Sequence, residues 1–278
     1  MKKIIFVGIL LILSSCSFDE KGFEFKNFEN TAAADLAAAV EDNDIELIRE
    51  IVKQKKVSID FLEPKWKMNL LTLAIANRKK DSFLELLRLG ADPNLIIGNN
   101  SDTSPITEAI ITQSNCELFY IETLLKNGAN PNLKIESVGI VSDNYYPLFT
   151  AIAHGMREDE CTDVLNLLLK YGADINCCAP DFINKDFCGG IINECIFLGQ
   201  MNFLRFFIIE KKIKIPKTPF IFYNVQGISK RMFTLTEILN TEDFRFEPFI
   251  QDGKKVDYPQ SRKIRNEIIN YLKKTGQY

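Results

Sequence analysis

Seven cysteines and one histidine are the residues of this chain with the most chemistry to offer. The histidine, His154 in "AIAHGM", has no second histidine to complete a His-x-x-x-His zinc site. The cysteines, at 16, 116, 161, 177, 178, 188 and 195, do not follow zinc-ligand spacing either. A Gly-x-Ser-x-Gly nucleophile elbow, a phosphate-cradling glycine loop and a dinucleotide fingerprint are all missing, and Gly189-Gly190 stands alone. Acidic neighbours such as Asp159-Glu160 lie in a charge-rich stretch and read as a solvated turn. An enzyme built on "FRFEPFIQDGKKVDY" would need a polar cluster that this stretch does not offer, and activity there would have to depend on Asp243, Glu247 or Asp252. No catalytic residue, cofactor or metal is therefore expected. A net charge of −3 without a basic patch also argues against nucleic acid.

The cysteines divide by position. Cys16 ends "MKKIIFVGILLILSSC", in which two lysines precede ten apolar residues, Ile4 to Leu13. Ten residues make about 15 Å of helix, half the thickness of a bilayer core, so the segment reads as a secretory signal rather than a span. Leu13-Ser14-Ser15-Cys16 resembles a bacterial lipobox. The resemblance implies cleavage of residues 1–15, a diacylglyceryl thioether on Cys16 and a third acyl chain on its new amino group. Several acyl chains would hold the protein on a membrane essentially permanently. Ser17 after the lipidated cysteine is similar to an outer-membrane sorting signal, which implies a lipid-anchored envelope protein facing the periplasm. Residues 16–30 read as the lipidated cysteine and a tether, although their four phenylalanines have the alternative of packing on the first helices.

The rest of the chain is organised by repetition. "LLRLGADPNL" at 86–95 returns as "LLKNGANPNL" at 124–133 and as "LLLKYGADINC" at 167–177. Upstream of each lies a partner motif: "NLLTLAIA" at 69, "SPITEAII" at 104 and "YPLFTAIA" at 146. Gly90, Gly128 and Gly172 suit the left-handed residue that ends a helix, and the Asp or Asn residues after them suit turns that bond their own backbone. Ser104 and Pro105 suit a helix cap and first turn. Ala74, Ala109 and Ala151 are small where two helices must approach closely.

Together these motifs resemble the ankyrin repeat, with its Thr-Pro-Leu-His-x-Ala opening and its Gly-Ala-Asp-x-Asn close. The resemblance implies an all-α solenoid of about six helix pairs over 31–278, with core repeats at about 67–178 and divergent repeats on both sides. The anchor positions are Ala39, Ala74, Ala109, Ala151, Cys195 and Ile238. Their spacing exceeds the usual repeat of about 33 residues, so the loops carry insertions. The last insertion precedes an amphipathic helix with Ile264, Ile268, Ile269 and Leu272 on one face.

In an oxidising envelope the remaining cysteines become candidates for disulfides. Cys116 and Cys161 lie in neighbouring insertions, and a bridge would tie adjacent repeats if the loops lean together. Cys177 or Cys178 with Cys188 would close a short loop. Cys195, at a packing position, reads as a buried thiol.

Ankyrin arrays typically bind proteins through loop tips and one helix face. Carried onto this sequence, that implies contacts at Lys65, Trp66 and Lys67; Asn99, Asn100 and Asp102; Asp143, Asn144 and Tyr145; Asp181, Phe182 and Asn184; and His154. The expected function is a non-catalytic protein-protein interaction module, monomeric and membrane-anchored, whose partner is another protein. An immunity protein that neutralises a secreted effector, such as a phospholipase, is one alternative. A structural envelope protein without a specific partner is another.

Overall fold

The computed structural model describes residues 20–98, 103–112, 117–135, 146–154, 162–180, 188–198, 200–215, 220–223, 230–240, 249–251, 254–256 and 259–278. The chain is predominantly helical, and its few strands are short. It divides into two compact units, Phe18–Cys188 and Gly189–Tyr278, within the stretch that the repeat pattern treats as one array.

Among the described residues the first unit holds eight α-helices in four pairs: α1 Ala34–Glu41 with α2 Ile45–Lys53, α3 Leu70–Ala76 with α4 Lys80–Arg88, α5 Pro105–Thr112 with α6 Phe119–Lys126, and α7 Pro147–His154 with α8 Thr162–Lys170. Local chemistry sets their starts. The Asp44 carboxylate accepts from the Leu47 amide at 3.0 Å and the Asn69 side chain from the Thr72 amide at 2.9 Å. At α5 the Ser104 hydroxyl accepts from the Thr107 amide, while Thr107 Oγ1 accepts in return from the Ser104 amide at 2.8 Å. Pro105 opens the helix, where a missing N–H costs nothing.

The first helices of successive pairs pack on one another, α1 on α3, α3 on α5 and α5 on α7. Ala39, Ala74, Ala109 and Ala151 are all buried there. Each second helix buries a narrower stripe, such as Phe83 and Leu86 in α4 or Ile121 and Leu124 in α6. The apolar runs of α3, α5 and α7 are thus explained by burial on nearly every side, and the amphipathic pattern of each second helix by burial on one.

The glycine turns are one structure made three times. Gly90, Gly128 and Gly172 have φ of 97°, 89° and 93°. After α4 the Ala91 amide donates to the Leu86 carbonyl at 3.0 Å and the Gly90 amide to the Leu87 carbonyl at 3.0 Å. These two bonds form a Schellman close, which satisfies carbonyls that the helix leaves open. The same pair follows α6, from Ala129 to Leu124 and Gly128 to Leu125, and α8, from Ala173 to Leu168 and Gly172 to Leu169.

Consecutive turns are laced together by asparagine. Asn94 Nδ2 donates to the Gly128 carbonyl at 2.9 Å while its Oδ1 accepts from the Asn130 amide at 2.6 Å. Asn132 repeats the arrangement with the Gly172 carbonyl at 2.8 Å and the Asp174 amide at 2.7 Å. One turn earlier Asp60 Oδ1 accepts from the Asp92 amide at 3.0 Å. A carboxylate lacks the second, donating half of the rung.

The N-terminal segment is not a free tether from residue 20 onward. Residues Glu20–Phe23 and Phe25–Phe28 form 3-10 turns, Phe25 and Phe28 are buried, and the Phe28 ring lies 6.3 Å from that of Phe61. Asn77 Nδ2 donates to the Phe23 carbonyl at 3.0 Å. The phenylalanines therefore take the packing alternative, and the tether reading is corrected over 20–30. Burial of two large aromatic side chains outweighs the freedom lost by the segment. Residues 16–19 lie outside the described residues.

In the second unit are α9 Ile191–Leu198, α10 Met201–Arg205 continuing into the π-helical turn Phe206–Glu210, α11 Leu235–Asn240 and α12 Pro259–Thr275. α12 buries Ile264, Ile268 and Leu272, with Ile269 at the margin of the face, and packs on α10. Arg205 Nε joins Glu267 Oε2 across that contact at 3.0 Å. Two antiparallel hairpins occupy the insertions, Phe220–Tyr223 with Lys230–Phe233 and Phe249–Gln251 with Lys254–Val256.

Replacing Asn132 by alanine removes both bonds of the best-formed rung and is expected to lower stability by about 1 kcal/mol, since the site is partly solvated. A urea-unfolding midpoint unchanged from wild type would show that the rung contributes nothing.

Candidate interaction site

The first loop tip is built around a buried carboxylate. Glu63 is fully buried, and its Oε2 accepts from the Lys65 amide at 2.7 Å. Its Oε1 accepts from the amides of Trp66 and Met68. Pro64 has no amide to offer, so the carboxylate reaches over it to the next three donors available, with Lys67 bonding the Glu63 carbonyl at 3.1 Å instead. Lys67 sits at φ 57°, and its carbonyl accepts from Gly98 at 3.2 Å, which ties this tip to the following loop.

Lys65 is exposed, Lys67 is half-buried, and Lys65 Nζ lies 4.8 Å from the Trp66 ring centroid. The expectation of an exposed tryptophan is corrected here. Trp66 is half-buried, and a Cβ placed on Gly22 would come within 3.8 Å of Trp66 Cγ. Its indole covers the N-terminal segment because an apolar ring gains more against Gly22 than in water. The indole N–H is buried with no acceptor among the described residues.

Of the other tip residues, Asn99, Asn100, Asp102, Asp143, Asn144, Tyr145, Asp181, Phe182 and Asn184 lie outside the described residues, as do Cys116 and Cys161. His154 is the exposed last residue of α7. Cys177 is a buried thiol rather than a disulfide partner, which corrects its proposed pairing with Cys188, and burial pushes it up to about 12. Cys178 and Cys188 begin the strands Cys178–Pro180 and Cys188–Gly190. Cys195 is buried. Among the described residues no three His, Cys, Asp or Glu side chains stand where they would hold a metal ion, and no helix is long and apolar enough to cross a membrane.

Two further buried carboxylates were not singled out by their sequence. Glu85, its side chain 6% exposed, joins α4 to α2. Arg49 grips both its oxygens, Nε at 2.9 Å from Oε1 and Nη2 at 3.2 Å from Oε2, and Arg88 adds a second fork from one turn along. Hydrogen bonds from Arg88 and then Arg49 hold the carboxyl down at about 2. Glu108, in α5 immediately before the packing Ala109, is 2% exposed, and its Oε2 has no partner among the described residues. Burial alone raises it to about 7. The one sequence signal was that the equivalent positions hold Leu73 and Thr150, so a glutamate there stood out from its own repeats.

A scan against protein-family models and a search of curated proteins find no match for this chain.

The two carboxylates predict opposite pH slopes. For Glu85 the folded value lies below the unfolded one, so its contribution is present above about 4.5 and is lost as pH falls through about 2. Glu85→Gln should flatten that acid limb of the unfolding profile. Glu108 has the reverse sign: the fold is favoured below about 4.5 and loses that advantage as pH rises through about 7. Glu108→Gln is therefore expected to raise the melting temperature at pH 8 and to change it little at pH 4.5, with a gain at pH 8 of up to roughly 3 kcal/mol. Equal effects at both pH values would mean that Glu108 is not held neutral by burial.

Proposed function

We propose that the chain is an ankyrin-repeat solenoid acting as a non-catalytic protein-protein interaction module, held on a bacterial envelope membrane by acyl chains at Cys16. The observation that carries this reading is the laced set of glycine turns. Three Schellman closes, joined by the Asn94 and Asn132 rungs, form a regular spine. Such a spine leaves the opposite loops free to lengthen without disturbing the core. Long loops on a rigid scaffold are where recognition residues belong.

The lipid anchor rests on the lipobox-like Leu13-Ser14-Ser15-Cys16, and the envelope location on Ser17 after it. The partner surface is assigned to the later tips, with Tyr145 and Phe182 as aromatic contacts and His154 at the exposed end of α7. Lys65 and Lys67 are set apart from that surface, since Trp66 between them is engaged with the protein's own N-terminal segment.

Two measurements test this. Fatty-acid labelling in the native host should mark the wild-type protein and not Cys16→Ala. Crosslinking in intact cells should recover one dominant partner protein, and Tyr145→Ala combined with His154→Ala should cut the yield by about tenfold or more, as loss of interface hot spots does. Recovery that ignores these substitutions would remove the tip-recognition reading.

A further inference from the structure

The net charge of −3 hides an uneven division. Residues 18–188 hold 17 Lys and Arg against 28 Asp and Glu, a side-chain balance of −11. Residues 189–278 hold 15 against 9, a balance of +6. A charge that changes sign between two compact units is a property of their surfaces, and it asks what the basic unit faces.

Much of the excess is gathered on one side of the second unit. α12 buries Ile264, Ile268 and Leu272, and its exposed basic positions are Arg262, Lys263, Lys273 and Lys274. Its one acid, Glu267, is turned to Arg205, which also holds Glu210 at 2.6 Å. Lys263 and Lys274 are eleven residues apart, so they share a face of the helix and stand about 16 Å from each other along it. The end of α12 meets the end of the helix that α10 begins, where the Ile215 amide donates to Gln277 Oε1 at 3.4 Å. There Lys212 and Lys214 are exposed and alternate with the half-buried Ile213 and Ile215. Among the described residues Lys212, Lys214, Lys263 and Lys274 have no ion-pair partner.

Helix chemistry explains little of this. Each helix C-terminus carries about half a negative charge, so two ends account for about one cation. The kind of partner follows from the kind of cation. Protein carboxylates are gripped by arginine forks, but Arg205 is held by two glutamates and Arg265 donates to the Leu239 carbonyl. What faces solvent is lysine, a point charge, spread along a helix and set beside isoleucine and a 41% exposed Tyr278. That pattern matches a layer of phosphate headgroups above apolar chains rather than a single anion.

We propose that the exposed side of α12, with Lys212 and Lys214 beside its end, is a membrane-docking face that takes anionic phospholipid headgroups. It adds to the acyl anchor read at Cys16 and does not require it.

The test removes the acyl chains so that this face alone is read. The mature chain, residues 16–278 with Cys16→Ala, is mixed with phosphatidylcholine vesicles with and without phosphatidylglycerol and separated by flotation. The expected result is flotation that requires phosphatidylglycerol, although the chain is negative overall, and that fades as salt is raised. Lys212→Glu, Lys214→Glu and Lys274→Glu together should weaken it about a hundredfold or more, at roughly a factor of five for each lysine lost from a charged surface. Lys53→Glu, Lys55→Glu and Lys56→Glu, at exposed residues of the first unit, make the same change in net charge and should leave it unaltered. No dependence on phosphatidylglycerol, or equal loss in both triple variants, overturns the face. A chain that ignores the vesicles but sediments as an oligomer, dissolved by the Lys212, Lys214 and Lys274 substitutions, also overturns it and gives the basic side to the acidic unit of a second copy. Native protein found without acyl chains on Cys16 overturns the anchor and leaves this result untouched.

Discussion

A single side-chain amide, placed at the end of each glycine turn, sets the geometry on which the first unit depends. Asparagine carries a donor and an acceptor on one short, stiff arm, so Asn94 and Asn132 each hold a carbonyl and an amide of the next turn together. Aspartate at the same place does half the work, as Asp60 shows, and burial raises its carboxyl although the Asp92 amide bond opposes the shift. The amide-to-side-chain bond spans 32, 36 and 42 residues at successive turns, yet its length stays between 2.6 and 3.0 Å. The spine is thus constant while the sequence between its rungs grows by ten residues. Insertions are confined to the loops because the rungs cannot stretch.

The spine needs its glycines for a different reason. A residue at φ near +90° is open to glycine at little cost and strained for most others. At Gly90 nothing stands within 4 Å of a hypothetical Cβ, so the demand is conformational rather than steric. The first helices close in the same way with larger residues. Asn43 at φ 55° and Arg78 at φ 56° occupy the turns after α1 and α3, and the amides that follow donate to the carbonyls of Ala39 and Ala74. Those residues tolerate the strain because each turn is fastened to its neighbour: Asn43 Oδ1 accepts from the Ser82 amide, and Lys79 Nζ bonds the Glu41 carbonyl.

Legibility in the sequence followed the range of the interaction. The helix pairs, the glycine turns and the packing alanines are local patterns repeated in register, and they were readable from single windows. The buried carboxylates were not, since Glu85 owes its environment to Arg49, 36 residues away, and Glu63 to backbone amides that no residue type announces. Trp66 failed for the same reason, because the surface covering it comes from Gly22, across the whole first helix pair. The second unit was harder to read because the rung residues are absent. Lys212, at φ 54°, stands where three copies of the first unit have glycine and the first copy has Lys55 at φ 53°, and Lys214 and Pro216 stand where those three have Asp or Asn and Asn.

The three buried glutamates of the first unit show what burial of a carboxylate demands. Glu63 is stabilised by dipoles and Glu85 by two guanidinium groups, and each leaves no oxygen without a donor. Among the described residues Glu108 Oε2 meets neither a backbone amide nor an arginine, so its proton is the remaining means of avoiding an uncompensated charge. It sits within α5, whose neighbours α3 and α7 offer Leu73 and Thr150 at the matching positions. Leucine there would bury more apolar surface with no charge to suppress, so stability alone gives no reason for a glutamate in the middle pair. The packing of α3, α5 and α7 is consequently most secure when that carboxyl is protonated, so pH near neutrality acts here on the core of the first-helix layer.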